Sequence, residues 1–324
     1  MDKGPAQLSA RVGLVLGAGG IAGGAFHAGV LAALHEATGW DPRVADVVVG
    51  TSAGSIAGTS LRAGLSPADM LARQEGRRLS AEGARLLSKV GPPRAIRLES
   101  TVGRPRAAAD IARTVARAAA RPFSARPVAL IAGLLPEGTL GTEMIVEGVG
   151  GLLADWPRRP LWICAVRQSD GRRVAFGRDG KPPLASAVAA SCAIPGFFKP
   201  VDIEGERYVD GGVHSPTNAD LLVRERLDLV IISSPMSIAG RPLRLAIDQP
   251  VRQWARLLVD REALRLRRGG TPVVAFQPTA EDAAVMGSNA MDPSRRATVA
   301  RQAYESTLRR LERADTRKQL APLL

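Results

Sequence analysis

The residues that most directly suggest chemistry are a serine between two glycines at the end of an apolar run. Val47-Val48-Val49 is followed by Gly50-Thr51-Ser52-Ala53-Gly54, and the residues from Ile56 onward have the composition of a helix. Strand, sharp turn and helix in this order are typical of a nucleophile elbow, in which the glycines of G-x-S-x-G allow a tight turn around the serine. Ser52 is therefore a candidate nucleophile, with Gly50 and Gly54 in supporting roles. An ordinary turn between a strand and a helix is the alternative.

A second glycine-rich stretch can supply the hydrogen-bond donors that such a nucleophile needs. Residues 17–24 follow the apolar run 11–16, and we predict that they form a loop before a helix over residues 25–38. Because neighbouring parallel strands end at the same edge of a sheet, backbone amides of this loop are expected to face Ser52. Such amides can stabilise an oxyanion. The candidate donors are the amides of Gly19, Gly20 and Ile21.

The same glycine loop also fits the dinucleotide-binding pattern G-x-G-x-x-G/A. A dinucleotide site needs an acidic residue at the end of the second strand to bind the ribose. Here that strand ends at Ser52, and its acidic residue, Asp46, lies at its beginning instead. A dinucleotide-binding oxidoreductase is therefore the weaker alternative.

The general base has two candidate arrangements. Tyr208-Val209-Asp210-Gly211-Gly212 places a carboxylate at the end of a short predicted strand, and Gly211 and Gly212 would let it approach another loop closely. Asp210 can serve as the base directly if burial and a nearby hydroxyl tune its pKa. A relay through His214 is the alternative, but His214 follows Asp210 so closely that the chain would have to fold back sharply. The pattern also suits a plain turn.

The two remaining histidines are less suited to catalysis. His27 lies among small residues near the glycine loop, where packing within the first helix is the favoured interpretation. His35, next to Glu36 near the predicted end of that helix, is expected on a solvated face. The two cysteines, Cys164 and Cys192, lack the spacing of a disulfide framework or a zinc site and are expected to be buried free thiols.

A sheet must position these groups. The order strand, helix, strand within the first 50 residues predicts a right-handed parallel crossover. Ser66-Pro67 is typical of a helix start, so a helix is predicted from there to about residue 78. The other predicted strands are 161–167, 173–176, 207–209, 227–233 and 272–277, with 173–176 pairing back onto 161–167. The other predicted helices are 184–191 and, as a charged surface helix, 294–313.

The domain prediction is one domain over residues 1–324. Its core is expected at about 11–79 and 157–280, and a C-terminal helical tail at about 281–324. The segment at about 80–156 is rich in Arg, Ala, Gly and Pro, and is predicted to be a helical cap or lid over the end of the sheet.

Composition limits the partners and the compartment. The formal net charge of +13 favours anionic partners, and in the absence of a nucleic-acid-binding motif it permits association with an anionic membrane surface rather than a nucleic acid. No apolar run approaches the ~20 residues that span a bilayer, and the N-terminus lacks the apolar core of a secretory signal. We therefore expect a cytoplasmic protein, with peripheral membrane association permitted.

Three stretches in order resemble the patatin-like phospholipase family: residues 14–31 with the glycine loop, Gly50-Thr51-Ser52-Ala53-Gly54, and residues 190–200 leading to Asp210-Gly211-Gly212. The resemblance implies a three-layer α/β/α fold with a mostly parallel sheet. It also implies hydrolysis of lipid acyl esters, with Ser52 as nucleophile and Asp210 as base without a histidine. No metal or cofactor is implied.

One residue departs from the family pattern. Many members carry Arg or Lys where this chain has Ala22, so a neutral glyceride or simple acyl ester is as suitable a substrate as a phospholipid. Phe197 and Phe198 are expected either to line an apolar acyl site or to belong to the core. A non-catalytic lipid-binding or membrane-binding protein of the same fold is the second alternative. The lipid class and the oligomeric state do not follow from the sequence.

Overall fold

β-branched and other apolar runs form the strands of a single sheet in the computed structural model, which describes residues 10–90, 138–240 and 249–323. The strands are β1 (Val12–Leu16), β2 (Val47–Thr51), β3 (Leu161–Arg167), β4 (Arg173–Phe176), β5 (Val201–Ile203), β6 (Glu206–Asp210), β7 (Leu229–Ser233) and β8 (Val273–Phe276).

The described helices lie between and after these strands. They are α1 (Gly20–Thr38), α2 (Ala53–Arg62), α3 (Pro67–Glu75), α4 (Ala81–Leu87), α5 (Glu143–Leu152), α6 (Leu184–Ser191), α7 (Gln249–Arg268), α8 (Ala280–Met286), α9 (Arg296–Leu311) and α10 (Ala314–Gln319). Short 3-10 helices are Pro42–Val44, Gly211–Val213, Ala219–Arg224, Pro293–Arg295 and Ala321–Leu323.

Five strands form the parallel centre of the sheet, in the order β3-β2-β1-β7-β8. The predicted parallel crossover from β1 to β2 is confirmed, and so is the antiparallel pairing of β4 with β3. The chain proceeds from β1 towards β3 on one side and from β7 to β8 on the other. The order therefore reverses between β1 and β7, and in doubly wound sheets ligands bind at such a switch point.

Alternate residues of each strand face opposite helical layers. In β1, Leu14 and Leu16 pack into a core formed with α1, α2, α6 and α9, whereas Val15 packs on the other side with α7 and the 3-10 helix Ala219–Arg224. The two apolar cores lie on opposite faces of the sheet, so the predicted three-layer α/β/α fold is confirmed.

The short strand β6 has an unusual place in the sheet. β2 pairs with β3 as far as Thr51, which lies opposite Cys164. The next residue of β3, Ala165, pairs with Asp210 of β6 on one edge and with Val174 of β4 on the other. β6 therefore continues the edge of β3 beyond the end of β2, which brings Asp210 next to the residue that follows Thr51.

Helix α9 packs more closely on the core than we predicted for a surface helix in this region. Its Val299, Ala300 and Ala303 are buried against α1. A Cβ at Gly29 of α1 would overlap the backbone of Ala300, so this glycine permits the close approach of the two helices. Arg301, Glu305 and Arg309 are exposed on its outer side, whereas Arg310 is partly buried over the ring of Phe276.

The ends of the predicted cap pack on the core, while residues 91–137 of that segment lie outside the described residues. Asp69 of α3 accepts hydrogen bonds from the amide and hydroxyl of Ser80, which begins α4. Helix α5 packs against α6. The lid itself therefore stays a prediction. Among the helices in the described part of the chain, none is long and apolar enough to cross a membrane.

Candidate active site

Ser52 occupies the turn between β2 and α2 in a strained backbone conformation. Its φ is 54° and its ψ is −121°, a region that non-glycine residues rarely adopt and that is found at functional turns. A Cβ at Gly50 would lie 2.6 Å from the Cα of Ser55, and a Cβ at Gly54 would overlap the carbonyl of Leu16. The two glycines thus allow the sharp turn and its packing against the end of β1.

The Ser52 side chain adjoins the carboxylate of Asp210 and lowers the pKa of that carboxyl as a hydrogen-bonding partner. Ser52 begins α2 but does not use its side chain to cap that helix, so the hydroxyl is available for this bond. Both side chains lie almost entirely out of contact with solvent, each residue being 4% exposed. The structure therefore brings together the two residues that the sequence singled out.

Burial sets the protonation behaviour of Asp210. Loss of hydration raises the pKa of its carboxyl from 3.8 to about 6, against the opposing effect of the hydrogen bonds from Ser52 and from the amide of Gly212. The Gly212 amide lies 2.7 Å from the carboxylate oxygen. Asp210 is thus ionised at neutral pH and yet more basic than an exposed aspartate, which suits a group that accepts a proton from a hydroxyl.

The glycine loop is shorter than predicted, because α1 begins at Gly20 and not at residue 25. The helix can start early because Gly20 adopts a φ of +61°, and because the carbonyl of Ala290 accepts a hydrogen bond from the Ala22 amide. Its first turn then packs closely on Pro235, where Gly23 leaves room. Gly19, Gly20 and Ile21 therefore form the N-terminal end of a 19-residue helix rather than an open loop.

Because α1 starts at Gly20, the backbone amides that are candidate oxyanion donors lie at the N-terminus of a helix. The amides of Gly17 and Ala18 donate to the carbonyls of Ser233 and Pro216, and the amide of Gly23 donates to that of Gly19. The first amides of a helix have no partner within it. The amides of Gly19, Gly20 and Ile21 have no hydrogen-bond partner among the described residues, and the helix dipole adds partial positive charge there.

Glycines also bring the Asp210 turn against this loop. A Cβ at Gly211 would overlap the carbonyl of Cys164, and a Cβ at Gly212 would lie 3.0 Å from the Asp210 carboxylate and 3.4 Å from the Cβ of Ala18. Since Gly54 packs on Leu16, both turns meet the end of β1. The Ser52 turn, the Asp210 turn and the glycine-rich start of α1 therefore converge at one edge of the sheet.

His27 has a structural role in the wall of this site. Its Nε2 donates to the carbonyl of Gly17 over 2.8 Å, so its Nδ1, 2.8 Å from the Ser233 hydroxyl, acts as an acceptor. Complete burial lowers the pKa of the imidazole to about 4, so it is neutral at physiological pH. His27 thus fixes the backbone at the end of β1, in line with the packing role predicted for it.

The other two histidines are not among the groups that shift the pKa of Asp210. His35 is half-buried at the end of α1, where its Nδ1 lies 3.0 Å from the carbonyl of Trp40. His214 favours the ionised form of Asp220, whereas the pKa of Asp210 responds to burial, Ser52 and Gly212. Both cysteines are buried free thiols, as predicted.

Two polar residues that the sequence did not single out support the elbow. The hydroxyl of Ser191 accepts a hydrogen bond from the Ser52 amide at 2.9 Å and donates to the Cys164 carbonyl at 2.6 Å. Asn218, with a left-handed φ of 55°, donates to the Thr51 hydroxyl. Both residues fix the end of β2. Ser191 belongs to the stretch that carried the family resemblance, whereas Asn218 had no recognisable signal.

A third such residue, Glu262, lies far along the chain in α7. Its carboxylate accepts hydrogen bonds from the hydroxyls of Ser215 and Thr217, each at 2.6 Å, and from the amide of Ala219 at 2.8 Å. Burial, together with the nearby Asp220, raises the pKa of this carboxyl. Glu262 therefore organises the loop that joins the Asp210 turn to the 3-10 helix.

Phe197 and Phe198 form a small aromatic pair, with ring centroids 5.7 Å apart. Phe198 is buried, whereas Phe197 is partly exposed. Leu140 pairs with this loop, accepting from the Lys199 amide and donating to the Phe197 carbonyl. The described end of the predicted cap thus lies against the phenylalanine loop, and an acyl-lining role stays a prediction.

Comparison with known proteins finds similarity to one family model and to several known proteins. A family model described as patatin-like phospholipase matches residues 14–223. Uncharacterised NTE family proteins of Mycobacterium tuberculosis and Mycobacterium bovis are 29% identical to this chain over 126 residues, which is 38% of this chain and 34% of each relative. The match thus extends over about a third of the length of those relatives.

Two solved structures are also similar to this chain. VipD from Legionella pneumophila has a TM-score of 0.42 and 14% identity, over 94% of this chain and 67% of that one. The type III effector protein ExoU has a TM-score of 0.37 and 16% identity, over 96% and 54%.

Proposed function

This chain belongs to the patatin-like phospholipase family, and we propose that it is a serine acyl-ester hydrolase that acts on lipids. The observation that carries the proposal is the close approach of Ser52, held at a strained turn, to a buried Asp210 whose pKa is about 6. A hydroxyl nucleophile and a tuned base in contact are what acyl transfer requires.

In the first half of the proposed reaction Ser52 is acylated. Asp210 accepts the hydroxyl proton while the Ser52 oxygen attacks the ester carbonyl carbon. The tetrahedral oxyanion would be stabilised by the amides of Gly19, Gly20 and Ile21, which is supported by their place at the start of α1. The C–O bond of the ester then breaks, and the leaving alkoxide takes the proton from Asp210.

In the second half the acyl group is released by water. Asp210, again ionised, accepts a proton from a water molecule as its oxygen attacks the acyl-Ser52 carbonyl. The same amides stabilise the second oxyanion. Collapse of this intermediate breaks the bond to Ser52, which recovers the proton from Asp210, and a fatty acid leaves. No step in this proposal uses a histidine, a metal or a cofactor.

The substrate is proposed only as a lipid acyl ester. The Ala22 side chain is buried in the core, and its amide donates to the Ala290 carbonyl. This position thus contributes no cation that could bind a lipid phosphate. Neutral glycerides and simple esters are therefore as suitable as substrates as phospholipids are. Comparing the hydrolysis of monoacylglycerol and lysophosphatidylcholine of the same acyl chain would separate these candidates.

The mechanism is tested by labelling the protein with a fluorophosphonate probe, which reacts with activated serines. We expect labelling of the wild type and complete loss of labelling in Ser52→Ala. His214→Ala is the control, and it should retain most of the labelling rate because Asp210 contacts Ser52 directly.

Two results would contradict the proposal. Labelling of Ser52→Ala would place the reactive group elsewhere, and loss of labelling in a folded His214→Ala would indicate a triad. A folded wild type that neither reacts with the probe nor hydrolyses any ester, with or without anionic vesicles, would favour a non-catalytic lipid-binding protein of this fold.

A further inference from the structure

Helix α7 carries several large apolar side chains on its outer surface. Val251, Leu257 and Leu264 are 50%, 62% and 47% exposed, and they are three of the seven large hydrophobic residues that are exposed in the described part of the chain. Trp254 and Leu258 are partly exposed on the same side. We call these five residues, Val251, Trp254, Leu257, Leu258 and Leu264, the outer face of α7.

The orientation of this helix is fixed by its opposite side. Ala255, Val259, Ala263 and Leu266 are buried, and Ala263 and Leu266 belong to the core cluster of the sheet. Glu262 points inward as well, to the loop at residues 215–219. The outer face therefore cannot turn inward without breaking this packing, and its exposure requires another explanation.

The charges on α7 indicate what that face contacts. The helix carries six arginines against two acidic residues, and Glu262, one of the two, is buried. Arg261, Arg265 and Arg268 are exposed among the outer-face residues. Apolar residues including a tryptophan, together with exposed arginines, are typical of a helix that lies in the plane of a membrane interface.

We propose that the outer face of α7 is an interfacial surface that binds an anionic lipid bilayer. The apolar side chains would enter the boundary between headgroups and acyl chains, and the arginines would contact lipid phosphates. A second copy of the chain is a poorer occupant, because a two-fold interface buries the same patch of both copies and would gather the arginines of both into one contact.

This surface begins beside the proposed catalytic site. In the first turn of α7, Arg252 donates to the Pro235 carbonyl at 3.2 Å. Pro235 in turn packs on the glycine loop, since a Cβ at Gly19 would lie 2.7 Å from its ring. The inference adds to the proposed function the surface at which lipid is met, but bilayer binding itself does not require a working Ser52.

The test is co-sedimentation with vesicles, in a Ser52→Ala background so that no lipid is hydrolysed. We expect binding at low salt to vesicles of phosphatidylglycerol and phosphatidylcholine, and much weaker binding to phosphatidylcholine alone. The double variant Leu257→Ser/Leu264→Ser should lower the partition coefficient by about tenfold or more. Arg261→Gln/Arg268→Gln should lower it by a similar factor.

Matched controls lie elsewhere on the surface. Val44→Ser removes a valine that is 48% exposed in the 3-10 helix Pro42–Val44, and Arg158→Gln/Arg309→Gln removes two exposed arginines outside α7. Both controls should bind vesicles within about twofold of the parent, because an interfacial helix binds through its own apolar and basic residues. Circular dichroism would establish that each variant is folded.

Two further readouts distinguish the outcomes. Brominated lipids should quench tryptophan fluorescence in the parent, and Trp254→Phe should lose most of that quenching. Vesicle binding that the α7 variants leave unchanged, or absent binding of the parent, would overturn the proposal. A dimer that Leu257→Ser/Leu264→Ser dissociates would assign the face to a second copy. None of these results bears on labelling of Ser52, which tests the proposed function separately.

Discussion

At the scale of the residue, Asp210 is placed where two requirements conflict. A carboxylate buried without a counter-cation is unfavourable, and among the residues that the structure describes only the Ser52 hydroxyl and the Gly212 amide compensate for its lost hydration. The same burial raises its pKa to about 6 and so makes it a stronger base than an exposed aspartate. The feature that would allow Asp210 to activate Ser52 is thus also a source of instability.

Because burial of the ionised Asp210 carboxylate is unfavourable, we predict that Asp210→Asn stabilises the protein at neutral pH. The same substitution should abolish fluorophosphonate labelling. Because the pKa in the folded state lies above the unfolded value of 3.8, the contribution of Asp210 to stability is most favourable below pH 3.8 and is lost as the pH rises through about 6. At pH 7.5 the ionised carboxylate costs up to about 3 kcal/mol. Asparagine avoids this cost and can still accept from the Gly212 amide.

Urea denaturation at two pH values measures this effect. The free energy of unfolding of Asp210→Asn should exceed that of the wild type at pH 7.5, and the difference should fall to about a third of that value at pH 4.5, approaching zero only below about pH 3.8. Ser191→Ala at the same two pH values is the control, since it removes a neutral hydroxyl and its effect should not depend on pH. A destabilised Asp210→Asn at pH 7.5 would contradict this account.

At the scale of the element, α7 contributes to the site through its inner side. Glu262 binds Ser215, Thr217 and the Ala219 amide, and this loop contacts both halves of the site. The Pro216 carbonyl accepts from the Ala18 amide, and Asn218 donates to Thr51. A helix more than 200 residues from Ser52 in sequence thus holds the loop that connects the glycine-rich start of α1 with the end of β2.

Glu262→Gln is therefore predicted to act on labelling as well as on stability. The amide nitrogen would face a hydroxyl or amide donor in place of a carboxylate oxygen, which leaves a buried donor without a partner and costs about 1–3 kcal/mol. The loop would shift. The rate of fluorophosphonate labelling should therefore decrease, even when it is measured well below the melting temperature. Labelling rate and the free energy of unfolding would be measured on the same samples.

The matched control for Glu262 is Val259→Ala, which creates a cavity on the buried side of the same helix. It should lose comparable stability but keep the wild-type labelling rate. If both variants slowed labelling in proportion to their loss of stability, Glu262 would have only a general structural role. This comparison separates a positioning effect from simple destabilisation.

Local patterns predicted most elements correctly, and the errors arose where tertiary contacts decide. β1, β2, β3, β4, α6 and α9 follow from apolar periodicity, and Ser66 caps α3 as predicted. The start of α1 at Gly20 depends on the Ala290 carbonyl, which lies 270 residues away and leaves no local signal. Glu262 and Asn218 were missed for the same reason, because their partners are distant in the chain.

At the scale of the whole molecule, the excess of arginine has opposite consequences for folding and for binding. The formal net charge is +13. Burial lowers the pKa of the Arg62 guanidinium to about 10, and Arg159 adds to this effect; Arg296 acts similarly on Arg73. Like charges brought together in this way destabilise the compact state, whereas the exposed arginines of α7 would attract an anionic bilayer.

Salt should therefore raise the stability of this protein while it weakens vesicle binding. At 0.1 M ionic strength the screening length is about 10 Å, so raising NaCl from about 0.02 to 0.3 M screens both the internal repulsion and the attraction to lipid. Melting temperature and vesicle co-sedimentation, measured across one salt series, should change in opposite directions.

The variant Arg159→Gln tests the cause of the rise in melting temperature. It lacks one partner of the Arg62 repulsion, so its melting temperature should rise less with salt. The salt dependence of its vesicle binding should equal that of the parent. A melting temperature that fell with salt would mean that exposed ion pairs such as Arg313–Asp315 outweigh the repulsion.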